Sequence, residues 1–228
     1  MTKTLKIAID GPSGAGKSSL AKGVAAKLGL TYVDTGALYR TVGYAAVTAG
    51  ISTKDAAALE ALLPTIEVDV RYENGVQCVY LNGENLGDKI RRPEISMAAS
   101  DVSAIPAVRA FLLDTQRDIA RRNSVVMDGR DIGTVILPDA DVKIFMVASA
   151  EARAERRTRE LAEKGMPAVY EDVLREMKER DAQDSGRAIA PAIPAPDAVH
   201  LDNSGMTVEE SVAAVLDIIE KKTGGKPI

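Results

Sequence analysis

Residues Gly11 to Ser18 read G-P-S-G-A-G-K-S, a spacing of glycine, lysine and hydroxyl suited to holding phosphate. Gly11, Gly14 and Gly16 permit backbone conformations barred to other residues, so that consecutive N–H groups can point inward at a β-phosphate. A helix opening near Lys17 would add its unsatisfied N–H groups and the positive end of its dipole. Lys17 is placed to bridge β- and γ-phosphates, and the Ser18 hydroxyl to coordinate Mg²⁺. Pro12, Ser13, Ala15 and Ser19 complete the nucleotide-binding stretch. The expected cofactors are therefore ATP and Mg²⁺. A phosphate loop alone does not choose between motor, switch and kinase. No N-K-x-D-type guanine reader follows, and no apolar run ends in the D-x-x-G of a switch, which favours transfer to a small acceptor.

Four further groups could serve that acceptor. Asp34-Thr35-Gly36-Ala37-Leu38-Tyr39-Arg40 begins where a short strand should end, the edge at which α/β sheets bind ligands, and a planar guanidinium such as that of Arg40 suits a phosphate. Asp128-Gly129-Arg130-Asp131-Ile132-Gly133-Thr134 follows another buried strand; Arg130 can reach a phosphate and Asp131 can accept from an exocyclic amine. Arg153 and Arg157 lie four apart on a charged helix, hence on one face, and Gly165 and Pro167 just beyond suggest a movable lid. The alternative for that helix is a solvated face in which Glu151, Glu155 and Glu160 pair with the arginines. Arg180 and Asp184, again four apart, could pair or contact a ribose and a phosphate, and Arg187 falls in the loop that follows. Donor and acceptor phosphates bring several negative charges together, so a cationic lining meets a chemical need. A monophosphate oxygen is already anionic at neutral pH and needs no general base, which agrees with a chain holding one histidine.

The elements that must position these residues follow from periodicity. Leu5 to Ile9, Thr31 to Asp34, Ser124 to Met127, Val142 to Val147 and Ala198 to Leu201 read as short strands of a parallel sheet. Between them run helical patterns at Lys17 to Leu28, Gly36 to Ala49, Pro106 to Arg122, Ala150 to Lys164, Tyr170 to Asp184 and Val208 to Lys222. Residues 65 to 90 differ: I-E-V-D-V-R-Y and V-Q-C-V-Y-L alternate apolar with polar across an Asn74-Gly75 turn, and a second turn at Asn82-Gly83 starts a third short strand. The predicted fold is α/β: a five-stranded parallel sheet with helices on both faces, a helical lid, and an inserted antiparallel three-stranded sheet. The core is expected over 1–35, 103–150 and 188–228, the acceptor-binding region over 36–102 and the lid over 151–187.

Bulk composition sets outer limits. The chain of 228 residues carries 29 basic and 33 acidic side chains, a net charge of -4, and only 4% aromatics, which argues against a nucleic-acid partner. Cys78 is the only cysteine, so an intrachain disulfide is excluded, and its alternating surroundings predict a packed strand residue. His200, the only histidine, is expected at the end of a late strand in a structural role. The N-terminal apolar stretch is too short for a signal peptide and none approaches a membrane span, so a cytoplasmic monomer without a membrane partner is expected.

Taken together, I-D-G-P-S-G-A-G-K-S, D-T-G-A-L-Y-R, the mid-chain hairpin insertion, D-G-R-D-I-G-T, P-D-A-D-V-K-I-F and K-E-R-D…D…R-A-I-A-P closely resemble the bacterial cytidylate kinases. The resemblance implies the nucleoside monophosphate kinase fold, and transfer of the γ-phosphoryl of ATP to CMP or dCMP. It also implies that Ser100, Arg109 and Asp131 read cytosine, and that Arg40, Arg130 and Arg187 hold the α-phosphate. Arg180 and Asp184 would contact the ribose region, Arg153 and Arg157 would approach the donor phosphates, and Asp34 and Thr35 would lie on the acceptor side. Thr35 stands where some members have serine, and D-A-Q between Arg180 and Asp184 is less charged than in some relatives. A kinase of another small acceptor, such as UMP or shikimate, and a nucleotide-binding module without turnover are the alternatives.

Overall fold

The computed structural model describes residues 4–163 and 165–224. Lys164, expected to end a lid helix, and residues 1–3 and 225–228 of the expected core lie outside the described residues. In chain order the elements are β1 (Lys6–Asp10), α1 (Lys17–Leu28), β2 (Thr31–Asp34), α2 (Thr35–Thr48), α3 (Ala56–Leu62), β3 (Val68–Glu73), β4 (Val76–Leu81), β5 (Glu84–Asn85) and α4 (Pro93–Val102). There follow α5 (Pro106–Arg122), β6 (Val125–Gly129), β7 (Val142–Val147), α6 (Ala150–Glu163), α7 (Tyr170–Ser185), β8 (Val199–Asp202) and α8 (Val208–Thr223). The larger sheet runs β2-β6-β1-β7-β8 and the smaller β3-β4-β5. The chain divides into two compact units, one of residues 1–30 and 123–228, the other Thr31–Arg122.

In the first unit, β1 lies between β6 and β7, parallel to both, with Ile9 opposite Asp128 and Ile144. Ile7, Ile9, Met127, Ile144 and Met146 are fully buried, each worth ~2 kcal/mol of hydrophobic transfer. Strand β1 ends at Asp10 and β6 at Gly129, which sets Asp10 and Asp128 near the sheet's carboxyl edge. Helix α1 starts from Gly16 in the left-handed conformation (φ 84) and stops at Gly29, also left-handed (φ 65). Helix α8 opens with a reciprocal cap, Thr207 accepting from Glu210 N–H while the Glu210 carboxylate accepts from Thr207 N–H. Ala154, Val173 and Met177 form the small apolar contact of α6 with α7.

The second unit has its own core, in which Leu38 and Val42 of α2 meet Leu59, Val79, Val102, Val108 and Leu112. The hairpin forms as the alternation requires, antiparallel with Tyr72 opposite Gln77, and Asn74 and Gly75 both take positive φ in the turn. The third strand is β5, antiparallel to β4.

Periodicity leaves several stretches unassigned that the structure orders, among them α3, α4, and a single wide turn of π-helix at Ile132–Ile136. Helix α3 spans only 7 residues and α4 only 10, lengths at which tertiary burial rather than local propensity supplies the stability. Leu59 and the stripe Ile95, Ala98, Ala99 and Val102 provide it. The π-turn follows Asp131, for a reason given below. No single helix among the described residues is long and apolar enough to cross a membrane.

Candidate active site

The phosphate loop lies between β1 and α1. Gly11 has φ 147, and a Cβ there would sit 2.6 Å from the Met146 carbonyl oxygen, so only glycine permits this approach of the loop to β7. The Asn203 side chain, just past β8, donates to the Ala15 carbonyl at 2.9 Å and fastens the loop from below. Lys17 is buried and folds back, its ammonium donating to the Pro12 carbonyl at 2.6 Å. Burial pushes its pKa well below the ordinary lysine value; Arg130 and Arg180 push the same way, against Asp128 and Asp10. Lys17 is thus held poor in countercharge, a condition that a polyphosphate would relieve.

The Ser18 hydroxyl donates to Asp128 Oδ2 at 3.0 Å. With its proton so engaged, its lone pairs are turned away from the carboxylate and can accept a cation. Hard oxygen donors of this kind suit Mg²⁺. Asp128 is a residue whose role the sequence reading missed; the available signal was an acid directly following the apolar run V-V-M on the strand beside β1.

Asp10 is a second such residue. It is buried, and its two carboxylate oxygens accept from the N–H groups of Ile132 and Gly133, each at 2.8 Å. This clamp starts the π-turn, whose wide hydrogen bonds run from Ile136 N–H to the Asp131 carbonyl and from Leu137 N–H to the Ile132 carbonyl. Burial raises the Asp10 carboxyl to about 6; the two N–H groups oppose the rise, Asp131 adds to it and Lys17 opposes it. Asp131 itself, at the head of the turn, is buried.

The arginines of this unit fall into two sets. Asp184 accepts from Arg130 Nε at 3.0 Å through one oxygen and from Arg187 through the other. Burial pushes the Asp184 carboxyl up, but Arg130, Arg187 and Arg180 outweigh it and hold the group below the ordinary carboxylate value. Two arginines far apart in sequence are thereby gathered on one acid at the end of α7. Of the two alternatives for Arg180 and Asp184, pairing or contact with a ribose and a phosphate, the structure shows Arg180 close enough to Asp184 to help hold its carboxyl down.

The second set is on α6. Arg153 is buried, donating to the carbonyls of Ala148 (3.0 Å) and Ser13 (2.8 Å) and forming a forked pair with Asp181 (3.2 and 2.5 Å). Arg157 is partly exposed and pairs with Glu160 at 2.8 Å. The solvated, ion-paired face therefore describes Arg157, whereas Arg153 points inward and touches the phosphate loop's own backbone.

In the second unit, the Asp34 carboxylate does two jobs. Oδ1 caps α2 by accepting from Ala37 N–H at 2.9 Å, and Oδ2 accepts from Arg40 Nη2 at 2.6 Å. The pair is mostly shielded from water, with side-chain exposures of 22% for Arg40 and 16% for Asp34, so its geometry is held more firmly than that of a surface pair. Thr35 is buried at the first turn of α2. Ser100 on α4 and Arg109 on α5 are buried together: Ser103 Oγ donates to the Ser100 carbonyl at 2.8 Å, while the Ser103 carbonyl accepts from Arg109 Nη1 at 3.2 Å. The Arg109 guanidinium also stands over the Tyr39 ring, 5.6 Å from its centre. Cys78 and His200 stay outside both sets; Cys78 is half-buried on β4, and the His200 ring meets Phe145 at 5.8 Å.

The family model described as Cytidylate kinase matches residues 7–221. A protein named cytidylate kinase from Fervidobacterium nodosum is 48% identical over 217 residues, covering 95% of this chain and 97% of that one. Another of that name from Ligilactobacillus salivarius is 48% identical over 222 residues, covering 97% and 99%. Among solved structures, an uncharacterized protein from Eubacterium ventriosum superposes with a TM-score of 0.51 at 15% identity, covering 96% of this chain and 99% of that one, a likeness of fold alone. A match over nearly the full length, added to the phosphate loop and the clustered arginines, places the chain in the cytidylate kinase family.

Proposed function

We propose that this chain transfers the γ-phosphoryl group of ATP to CMP, and also to dCMP, giving ADP with CDP or dCDP. The observation that carries the proposal is the phosphate loop, with Lys17 buried beside it and Ser18 turned by Asp128, in a chain that matches the family over residues 7–221. In the reaction an anionic oxygen of the CMP phosphate forms a bond to the γ-phosphorus as the bond from that phosphorus to the β–γ bridging oxygen breaks. No proton has to be removed from the attacking oxygen. The protein's contribution is position and neutralisation of charge.

The loop N–H groups from Gly11 to Ser19 would cradle the donor, and the Lys17 ammonium, whose pKa burial holds down, would gain the phosphates as countercharge. Mg²⁺, held by the Ser18 hydroxyl that Asp128 orients, would supply neutralisation of the donor's phosphate charge. Arg40, Arg130 and Arg187 would bind the acceptor's phosphate, each already aligned by a carboxylate. Arg180 and Asp184 would meet the ribose region. Arg153 and Arg157 would approach the donor phosphates from a lid spanning 151–187, and Arg153 would have to exchange Asp181 for phosphate in doing so.

Ser100, Arg109 and Asp131 would read the base. Cytosine offers N4 as a donor and N3 and O2 as acceptors; a carboxylate accepts from N4 and arginine donates to the ring. Uracil would set O4 against that carboxylate and leave groups unpaired, at about 1–3 kcal/mol for each group. The test is an ADP-release assay with CMP, dCMP, UMP, AMP and shikimate. CMP or dCMP gives the highest kcat/KM if the proposal holds; a maximum with UMP overturns the cytosine reading, and release with no acceptor in the panel overturns kinase activity.

A further inference from the structure

The antiparallel sheet of β3, β4 and β5 holds none of the residues assigned above, yet one of its side chains reaches the acceptor edge of its own unit. Gln77, the second residue of β4, is half-buried. Its Oε1 accepts from Asp34 N–H at 2.8 Å, and its Nε2 donates to the Asp34 carbonyl at 3.1 Å. One amide thus engages both backbone groups of one residue, as a neighbouring strand would, across 43 positions of sequence. A second tie lies close by, where Tyr72 on β3 donates from its hydroxyl to the Tyr32 carbonyl at 3.2 Å.

What this holds in place is specific. Asp34 has its main chain fixed by Gln77 and its carboxylate divided between the cap of α2 and Arg40. The space around that pair is close: a Cβ at Gly36 would lie 3.1 Å from both Arg40 Nη1 and Asp34 Oδ1. A shift of the Asp34 backbone therefore carries its carboxylate, and with it the guanidinium.

We propose that Gln77 is a positioning residue for the acceptor's phosphate, acting through Asp34 on Arg40, and that this is a task of the inserted sheet. The proposal rests on the assignment of Arg40 to that phosphate. Gln77→Met keeps the length and the apolar stem and removes both bonds; Gln77→Glu keeps an acceptor for the N–H and turns a carboxylate oxygen toward the Asp34 carbonyl.

Steady-state kinetics of both variants and of Arg40→Met, with CMP and UMP as acceptors and melting temperature recorded alongside, tests it. Gln77→Met is expected to raise KM for CMP and for UMP by the same factor, about threefold to tenfold for the lost bonds. KM for ATP should stay within about twofold and the ratio of kcat/KM between CMP and UMP should not move, because the phosphate is common to both acceptors. Gln77→Glu should exceed Gln77→Met, and serves alone if the methionine variant does not fold. A lowered melting temperature with all KM values unchanged, or parallel rises for ATP and CMP, overturns the proposal in favour of simple sheet docking. If Arg40→Met raises KM for CMP and the Gln77 variants do not, Gln77 has no positioning role while the Arg40 assignment stands. If Arg40→Met leaves KM for CMP unchanged, both fall together.

Discussion

The phosphate loop and the proposed acceptor edges are built by opposite means. In the proposed function the working groups of Gly11 to Ser19 would be main-chain N–H groups, in a conformation set by glycine stereochemistry and by contact with β7. At Asp34 to Arg40 and at Asp184 they would be guanidinium side chains, which carboxylates already hold. A backbone cradle recognises phosphate whatever is attached to it. Side-chain clusters can be tuned one residue at a time to a particular acceptor. Changes in the loop should therefore affect every acceptor alike, changes at the phosphate-holding arginines should weaken every monophosphate by the same factor, and only changes at the base-facing residues should separate one acceptor from another.

The largest effect is expected for Lys17→Ala, which should lower kcat by roughly 10²–10³-fold with CMP, dCMP and UMP equally. Its melting temperature should not fall, since a buried ammonium with a depressed pKa is removed. Unequal losses among acceptors would break the division between loop and edges.

Asp10 joins the two regions, ending β1 ahead of the loop and clamping the turn that begins at Asp131. An acid whose folded-state pKa is about 6, against an ordinary 3.8, ionises more easily once unfolded. Its contribution to stability is therefore most favourable below pH 4, declines as pH rises to about 6, and is constant above. Chemical denaturation of the wild type and Asp10→Asn between pH 4 and pH 7 should show the wild type losing roughly 2 kcal/mol more than the variant across that window. Parallel pH profiles would place the Asp10 pKa near its ordinary value.

A smaller effect sharpens the acceptor side. Asp131→Asn should reduce the preference for CMP over UMP by about tenfold, within the 1–3 kcal/mol of one unpaired buried group, and leave KM for ATP unchanged. An unaltered preference would remove Asp131 as the reader of the exocyclic amine. The smallest change in stability belongs to Arg157→Ala, which breaks one exposed pair with Glu160 and should alter stability by less than about 0.5 kcal/mol. Its kcat should nevertheless fall more than tenfold if the side chain approaches the donor phosphates; an unchanged kcat would leave it a surface arginine.

The same contrast explains what could be read from sequence. The loop was legible because its function is written in local spacing, glycines and lysine at fixed offsets between a strand and a helix. The parallel strands and the hairpin were legible from apolar runs and from Asn74-Gly75. Helix α4 was not, because its stability comes from burial of Ile95 to Val102 against residues distant in sequence. The π-turn was hidden for a similar reason: it depends on a carboxylate 122 positions earlier, at Asp10. The acceptor arginines and the acids Asp34 and Asp184 stood out by type and placement, but which acid holds which arginine did not. No local pattern tells that Asp184 serves Arg130 and Arg187, or that Asp181 turns Arg153 inward.

The division between loop and edges is tested most directly by a crystal structure with CMP and a non-hydrolysable ATP analogue bound together. The account predicts the analogue's β-phosphate on the N–H groups of Gly14 to Ser18, the CMP phosphate on Arg40, Arg130 and Arg187, and cytosine N4 on Asp131. CMP bound with its phosphate away from all three arginines, or its base turned from Asp131, would contradict it.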